Sequence, residues 1–191
     1  MKRIFLILAL FFGSINISNA DINRIIAGNK DAKVTVIAYE SLTCSHCADF
    51  HRDIYPQLKR DYIDTGLVKI EFRHFPLDVA AFNASKISQC KSGEGLKILN
   101  SLYSNQQEWI KGNTVDEINK NLKKFIENQG FKINFENCIN DKEIEDFVLN
   151  DRIEGVKKFK VNATPTIIIN DKKFDKTLNY KNLKKSLEKL I

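Results

Sequence analysis

The chain has 191 residues, of which 43% are hydrophobic, a length that fits one domain or one domain carrying a large insertion. This is long enough to bury a substantial core. The net charge is +6, but basic and acidic residues are interleaved and no nucleic-acid-binding motif appears, so we expect no nucleic-acid partner. Four cysteines are too few for a small protein held together mainly by disulfides.

The first 20 residues have the pattern of a secretory signal peptide. Lys2 and Arg3 precede an unbroken apolar run at 4–12, and small residues at 18–20 suit a cleavage site after Ala20. The apolar run is shorter than the ~20 residues that span a bilayer. We therefore predict an exported protein located in the periplasm, with an uncleaved anchor as the alternative. Such a compartment permits disulfides.

The mature chain begins with a polar segment at 21–31, followed by a mostly apolar run at 34–39 that is typical of a strand buried on both faces. Helical spacing follows from about residue 45 to about residue 62. Residues 67–75 then alternate between apolar and polar as a strand does, and Pro76 ends that strand. A strand, a helix and a second strand in this order predict a parallel pair with a right-handed crossover.

Between residues 77 and 160 the pattern is helical, with predicted helices at 79–91, 96–109, 115–129 and 141–159. Thr114 and Glu117 form a capping box for the third helix, and Asn140 is the predicted cap of the fourth. Strand character returns at 166–170, followed by a predicted turn at 171–173, a short partner strand from Phe174 and a final helix from Tyr180. The chain therefore has an all-helical segment inserted between strands.

Cys44 and Cys47 are separated by two residues at the junction of the first strand and the first helix. A helix places both on one face, with Cys44 at its N-terminus. The unpaired N–H groups and the positive dipole end there stabilise a thiolate, which is the reactive form of cysteine. The pair can therefore hold a disulfide or pass it on. The residues alone leave three connectivities open for the four cysteines.

His51 and His74 raise the alternative of a zinc site with the same two cysteines. A structural zinc site usually lies on loops, and these histidines lack the close spacing of a ligand pair. We therefore predict no metal site. Trp109, at the end of a predicted helix, is assigned to the core.

Three motifs, in the same order, resemble those of the DsbA family of exported thiol–disulfide oxidoreductases. Residues 41–47 with Phe50 and His51 resemble its active-site helix, residues 72–78 the start of its inserted domain, and residues 162–166 its cis-proline loop. The similarity runs from about residue 34 to the C-terminus. It implies an α/β fold: a thioredoxin-like domain at 21–76 and 161–191, with an inserted all-helical domain at 77–160.

The resemblance implies roles for residues of these motifs. The position of Cys44 at the helix end makes it the predicted nucleophile, with Cys47 as its buried partner. His46 is expected to favour the Cys44 thiolate by a hydrogen bond or by its charge, unless it is an exposed spacer. Thr164 and a cis Pro165 are expected to bind an extended peptide; a trans proline opening a strand is the alternative. No cofactor is implied.

Two positions depart from the family pattern. Ser45 replaces the proline of the commonest DsbA form, which leaves the redox potential open. Related sequences often carry a glutamate six residues before the first cysteine, where this chain has Ala38. Glu40 lies on the same face of the strand. Two interpretations stay open: Glu40 accepts the proton of Cys47, or it is a solvated residue at the strand end.

The resemblance also implies a structural disulfide between Cys90 and Cys138, because some DsbA-like proteins carry a second, non-catalytic pair in the inserted domain. Two buried free thiols that pack as small hydrophobic groups are the alternative. A disulfide closing this loop is expected to stabilise the fold by about 4 kcal/mol before native-state strain is subtracted.

The resulting hypothesis is a monomeric enzyme that introduces disulfides into reduced or unfolded exported proteins through Cys44 and Cys47, and that a membrane oxidase reoxidises. A disulfide isomerase or reductase on the same scaffold is the alternative, because the best-known oxidases of the family have valine where this chain has Thr164. A secreted binding module with purely structural cysteines is a third class, disfavoured because a disulfide closing so short a loop removes little unfolded-state entropy.

Overall fold

The computed structural model describes residues 22–191, so the predicted signal peptide at 1–20 lies outside the described residues. Within that range, five strands form one mixed sheet in the order β1-β3-β2-β4-β5. The pair β2–β3 is parallel, as the strand–helix–strand pattern predicts, and the other neighbours are antiparallel. The strands are β1 (Ile25–Ala27), β2 (Val34–Glu40), β3 (Val68–His74), β4 (Thr166–Ile169) and β5 (Lys172–Lys173).

The helical crossover between β2 and β3 differs from the single regular helix that the sequence predicts for 45–62. It consists of α1 (Ser45–Asp49), a π-helical turn (Phe50–Ile54), α2 (Tyr55–Leu58) and a second π-helical turn (Lys59–Ile63). Pro56 lies between the two π turns and has no N–H to donate, which interrupts the regular hydrogen-bond ladder.

The segment between β3 and β4 consists of helices joined by loops, as predicted, but the helix predicted at 96–109 is broken at Asn105. The segment contains α3 (Val79–Gln89), α4 (Gly95–Ser104), α5 (Gln106–Trp109), α6 (Val115–Asn128), α7 (Phe135–Asn140) and α8 (Lys142–Phe159). Helix α7 was not predicted, because six residues are too few to establish a helical period. The predicted Asn140 cap is wrong: Asn140 ends α7, and the Asp141 carboxylate caps α8 by accepting from the N–H groups of Glu143 and Ile144.

Two further details of the sheet differ from the prediction. The final hairpin turns at Asn170 and Asp171, earlier than predicted, and both have positive φ values, 44° and 63°. Asn and Asp adopt this conformation more readily than most residues other than glycine, so the turn forms there. The edge strand β1 was not predicted, because its three residues lie in a segment assigned as polar. The last helix, α9 (Tyr180–Leu187), follows β5.

Helix α8 is attached to the sheet by charged groups as well as by packing. Asp151 forms an ion pair with Arg24 and accepts a hydrogen bond from the His74 backbone N–H at 3.1 Å. Arg73 Nη1 on β3 lies 2.8 Å from a Glu154 carboxylate oxygen. The side chain of Asp151 is buried, so breaking its contacts would leave a buried charge unpaired. The last helix of the insertion is therefore held in register with β3.

The contact between Gly155 and Tyr39 sets how closely α8 approaches β2. Tyr39 is fully buried, and its ring packs with those of Phe75 and Phe159 at centroid distances of 6.4 and 6.0 Å. A Cβ atom at Gly155 would lie 2.8 Å from Cε1 of Tyr39, which is closer than van der Waals contact allows. Only glycine fits at this point of the interface.

Gly155→Ala is expected to destabilise the protein, although alanine is the better helix former by about 1 kcal/mol. The added methyl group must displace a buried ring, and overpacking of this kind costs typically ~1–3 kcal/mol. Urea unfolding of the variant tests this. Asn150→Ala, at an exposed position of the same helix, is the matched control and should be neutral or slightly stabilising. A Gly155→Ala protein more stable than wild type would contradict the packing argument.

Candidate active site

Cys44 occupies the N-cap position of α1, directly after β2 and a short turn. Its backbone is extended, with φ −77° and ψ 119°, and its carbonyl accepts from the N–H groups of Cys47 and Ala48, both at 3.2 Å. The Cys44 side chain is partly exposed and Cys47 is buried. Both are free thiols in this structure. The helix N-terminus therefore presents one accessible sulfur and shields the other.

The surroundings of the two sulfurs shift their pKa values in opposite directions. The pKa of Cys44 is lowered to about 5, chiefly by a hydrogen bond from the Cys47 thiol. Thr164 and the backbone N–H groups of Cys47 and His46 lower it further, whereas burial opposes them. Burial raises the pKa of the Cys47 thiol far above its ordinary value, and the charge of Glu40 adds to this. At neutral pH the site therefore holds a thiolate at Cys44 and a thiol at Cys47.

The loop before β4 places Thr164 and Pro165 against this sulfur pair. The Thr164–Pro165 peptide bond is cis, and Cys44 Sγ lies 3.4 Å from the Thr164 carbonyl oxygen. Residues 120 positions apart in the chain are thus in contact. The structure brings together four of the residues that the sequence assigned to the site: Cys44, Cys47, Thr164 and Pro165.

The imidazole of His46 is largely in solvent. Its side chain is 81% exposed, and Nδ1 lies 3.6 Å from an Asp49 carboxylate oxygen. The contribution that this residue makes to the lowered pKa of Cys44 comes from its backbone N–H. A catalytic role for the imidazole stays a prediction.

Glu40 is buried and paired, so the solvated interpretation of this residue is wrong. Its side chain is 3% exposed, and one carboxylate oxygen lies 2.8 Å from His51 Nε2, whose side chain is 6% exposed. The His51 ring stacks on Tyr103 of α4, with centroids 4.1 Å apart. The sequence analysis did not assign His51 to the site. The available signal was its position four residues after Cys47, which places both on one helix face.

The inserted helices hold the turn that carries Cys44. The buried side-chain amide of Gln106 donates to the backbone carbonyls of Leu42 and Cys44, at 2.8 and 3.1 Å. The Thr43 hydroxyl donates to the Asp78 carboxylate at 2.7 Å, and the other oxygen of Asp78 caps α3. These contacts could not be predicted, because hydrogen bonds from a side chain to the backbone of a distant segment leave no pattern in residue spacing.

A disulfide joins Cys90, just after α3, to Cys138 on α7, with Cα atoms 5.5 Å apart. This is the pairing that the family resemblance implies. Both cysteines border a cleft of about 730 Å³ between β1 and the inserted helices. The bond ties two helices of the insertion together and takes no part in the Cys44–Cys47 pair.

The two histidines considered for zinc have other partners. His51 pairs with Glu40, and His74 Nε2 lies 2.9 Å from the Gln89 side-chain amide. Over residues 22–191, no group of three or more His, Cys, Asp or Glu side chains is arranged to hold a metal ion. In the same range, no helix has the length and apolar character needed to cross a membrane.

A reactive thiolate at a helix N-terminus, a buried thiol one turn later and an adjacent cis-proline loop define a thiol–disulfide exchange site on a mixed sheet. A family model described as Thioredoxin matches residues 20–189, and the chain belongs to this family. The predicted thioredoxin-like fold with a helical insertion, and the predicted DsbA-like relationship, are confirmed.

Similar proteins carry names that agree with this site. The crystal structure of alpha-DsbA1 from Wolbachia pipientis aligns with a TM-score of 0.77 and 32% identity, covering 88% of this chain and 90% of that one. Disulfide bond formation protein D of Bacillus subtilis is 28% identical over 174 residues, covering 86% of this chain and 75% of that protein. A putative protein-disulfide oxidoreductase of Rickettsia prowazekii is 28% identical over 177 residues. That match covers 90% of this chain but only 62% of the length of the Rickettsia protein.

Iodoacetamide is expected to alkylate the reduced protein at Cys44 and to leave Cys47 unmodified between pH 5 and 8. Because the thiolate reacts and the pKa of Cys44 is about 5, the labelling rate should be half-maximal near that pH and flat above it. Peptide mass spectrometry after timed quenching measures this. A Cys44→Ser variant should lose the fast label. Preferential labelling of Cys47, or a midpoint near the ordinary thiol value, would reverse the assignment.

Proposed function

We propose that the protein introduces disulfide bonds into reduced exported proteins by thiol–disulfide exchange at Cys44 and Cys47. The observation that carries this proposal is the partly exposed Cys44 sulfur at the N-terminus of α1, beside the buried Cys47 and the cis Thr164–Pro165 loop. These surroundings lower the pKa of Cys44 and raise that of Cys47. A stabilised thiolate is a good leaving group, so the reduced enzyme is favoured and the disulfide is readily passed on.

The exchange proceeds in two steps. A substrate thiolate attacks Cys44 Sγ of the oxidised enzyme; a mixed disulfide forms, and the Cys44–Cys47 bond breaks with its electron pair on Cys47, which takes up a proton. A second substrate thiolate then attacks the substrate sulfur of the mixed disulfide and releases Cys44 as a thiolate. The substrate is oxidised by two electrons and the enzyme is reduced by two.

The surface around Cys44 suits an unfolded polypeptide. The backbone of Thr164 faces the sulfur and can pair with an extended peptide as an added strand would. Leu77 and Val79 are exposed on either side of Asp78, whose carboxylate binds Thr43, the residue before Cys44. Exposed apolar side chains on a segment that contacts the active-site turn favour clients that have not yet buried their own hydrophobic residues.

The cellular setting belongs to the same proposal. We infer export to the periplasm from the signal-peptide pattern at 1–20, and action as a monomer. Because each turnover leaves the enzyme reduced, a membrane oxidase must return Cys44 and Cys47 to the disulfide. The names of the Bacillus and Rickettsia relatives, which refer to disulfide formation and protein-disulfide oxidoreduction, support the direction of this chemistry.

The second candidate is a disulfide isomerase or reductase on the same scaffold. It is supported by Thr164, which stands where the best-known oxidases of the family have valine and whose side chain helps to lower the pKa of Cys44. Refolding of scrambled ribonuclease against reduction of insulin distinguishes the two activities. Faster oxidative refolding of reduced ribonuclease, with little activity in the other two assays, is the result expected of an oxidase.

At pH 7 the reduced protein is expected to be more stable than the oxidised one. The pKa of Cys44 is about 5 in the folded reduced protein and near 9 when unfolded, so the contribution of the thiolate to stability is complete above pH 9. It is lost as pH falls to 5. The disulfide form lacks this contribution. The disulfide also closes a loop of only two residues, so it restricts the unfolded chain little and adds little to stability.

Urea unfolding of both redox forms between pH 5 and 8 measures this difference, which should shrink toward pH 5. A Cys44→Ser variant, in which no thiolate forms at this position, is the control for the reduced protein. Its free energy of unfolding should lack the pH dependence that the Cys44 thiolate causes. An oxidised form that is as stable as the reduced form at pH 7 would contradict the proposed oxidase and favour the reductase.

A further inference from the structure

The charge of the molecule is distributed unevenly along the chain. Residues 157–191 contain ten lysines, no arginine and three acidic residues, a net charge of +7, whereas the other 156 residues together carry −1. All ten of these lysines are exposed. Basic and acidic residues are therefore interleaved over most of the chain, but not in this last segment, from which the net positive charge arises.

The lysines belong to three elements: the end of α8, the edge strand β5 and the last helix, α9. Two contacts join the end of α8 to β5. Lys158 Nζ lies 2.8 Å from a carboxylate oxygen of Asp171, in the turn before β5, and Lys173 Nζ donates to the Lys160 carbonyl at 3.3 Å. The lysines of α8 and β5 thus form one continuous surface.

Helices α8 and α9 pack on opposite faces of β4, which is the neighbour of β5 in the sheet. Ile168 belongs to the cluster of buried residues that contains Phe159 of α8. Ile167 belongs to the cluster that contains Leu183 of α9. Because β5 lies at the edge between these two faces, the lysines of α8 and α9 flank those of β5.

We call this surface the basic edge; it consists of the exposed lysines at 157–160, 172–176 and 181–189. Its acidic residues neutralise only part of its charge. Among the described residues, Lys158 is paired with Asp171, Lys184 Nζ lies 3.7 Å from a Glu188 carboxylate oxygen, and the other lysines of the edge form no ion pair. Like charges repel one another, so an anionic partner would stabilise this surface.

Two features favour an extended anionic surface over an acidic peptide as that partner. Every cation of the basic edge is a lysine, a hydrated point charge on a flexible chain, whereas recognition of single carboxylates favours the planar fork of arginine. The strand β5 has only two residues, Lys172 and Lys173, which offer an extended peptide too little backbone to pair with.

Exposed apolar side chains lie at both ends of the basic edge. Val156 precedes the lysines at the end of α8, and Leu190 and Ile191 follow those of α9. Basic residues accompanied by exposed apolar side chains are the combination that binds at the interface of a bilayer, where the charges meet headgroups and the apolar groups reach the acyl boundary.

We propose that the basic edge binds the surface of a bilayer that contains anionic phospholipids. The lysine ammonium groups lie at the headgroup phosphates, and Val156, Leu190 and Ile191 reach the acyl boundary. The basic edge takes no part in the chemistry of Cys44 and Cys47, so this inference is independent of the proposed function. Binding of this kind holds the protein at the membrane, which is where the proposed oxidase has to meet it.

Sedimentation with vesicles measures this binding. Mature protein is mixed with vesicles of phosphatidylcholine alone, or of phosphatidylcholine and phosphatidylglycerol, at about 0.15 M salt, where charges act over about 8 Å. The test variant carries one neutral substitution in each element of the basic edge: Lys157→Gln, Lys172→Gln and Lys185→Gln. The matched control loses the same charge on and beside α6, which packs on α3 and α5: Lys111→Gln, Lys120→Gln and Lys124→Gln.

The wild-type protein is expected to bind the mixed vesicles, to ignore pure phosphatidylcholine and to be released by added salt. Each lysine near an anionic surface contributes roughly a fivefold factor to partitioning, so the test variant should bind at least about tenfold more weakly. The control should stay within about twofold of wild type, because its charges are screened from the membrane. The rate of Cys44 alkylation should be unchanged in the test variant, which shows that the variant is folded.

A wild-type protein that does not bind the mixed vesicles would overturn the proposal, as would equal losses of binding in the test variant and the control. Binding to soluble polyglutamate without binding to vesicles would assign the basic edge to an acidic protein and equally contradict the membrane assignment. If the triple variant does not fold, Lys172→Gln and Lys185→Gln decide separately: weaker binding by each supports the proposal, and wild-type binding by both refutes it.

Discussion

The stabilisation of a negative charge on Cys44 is the interaction on which the rest of the site depends. It requires a helix that begins at this residue, because only the first turn of a helix offers unpaired N–H groups. It also requires the helix to begin where β2 ends, so that the sulfur reaches the loop before β4. The neighbouring positions of β3, β2 and β4 in the sheet bring these requirements together.

The insertion does more than cover the sheet. Gln106 on α5 binds two backbone carbonyls of the active-site turn, and Asp78 at the start of α3 binds its threonine. Since α8 is attached independently to β3 through Asp151, the inserted helices hold the turn against a fixed support. A sulfur whose acidity depends on hydrogen bonds of defined length needs such a support, because a mobile turn would lose them.

The reactive pair could be predicted because two cysteines two residues apart at a strand–helix junction are a local motif, whereas the Thr164–Pro165 loop followed from the family resemblance. Helix and strand types followed from periodicity. The state of Glu40 could not be predicted, because strand alternation gives the face of a residue but not the partner that crosses from another element. His51 belonged to the active-site helix motif and was a zinc candidate, but its pairing with Glu40 could not be predicted, since it depends on how the helix packs on β2. The boundaries of the last hairpin depended on backbone angles at Asn170 and Asp171, which composition does not fix.

The edges of the sheet have a consequence for the proposed binding of unfolded chains. A free strand edge can recruit another extended segment and start an aggregate. Here the outer strand β5 is only two residues long, and both are exposed lysines, Lys172 and Lys173. The opposite edge strand, β1, has three residues. The proposed pairing of an extended client with the backbone of Thr164 therefore meets little competition from the edges of the sheet.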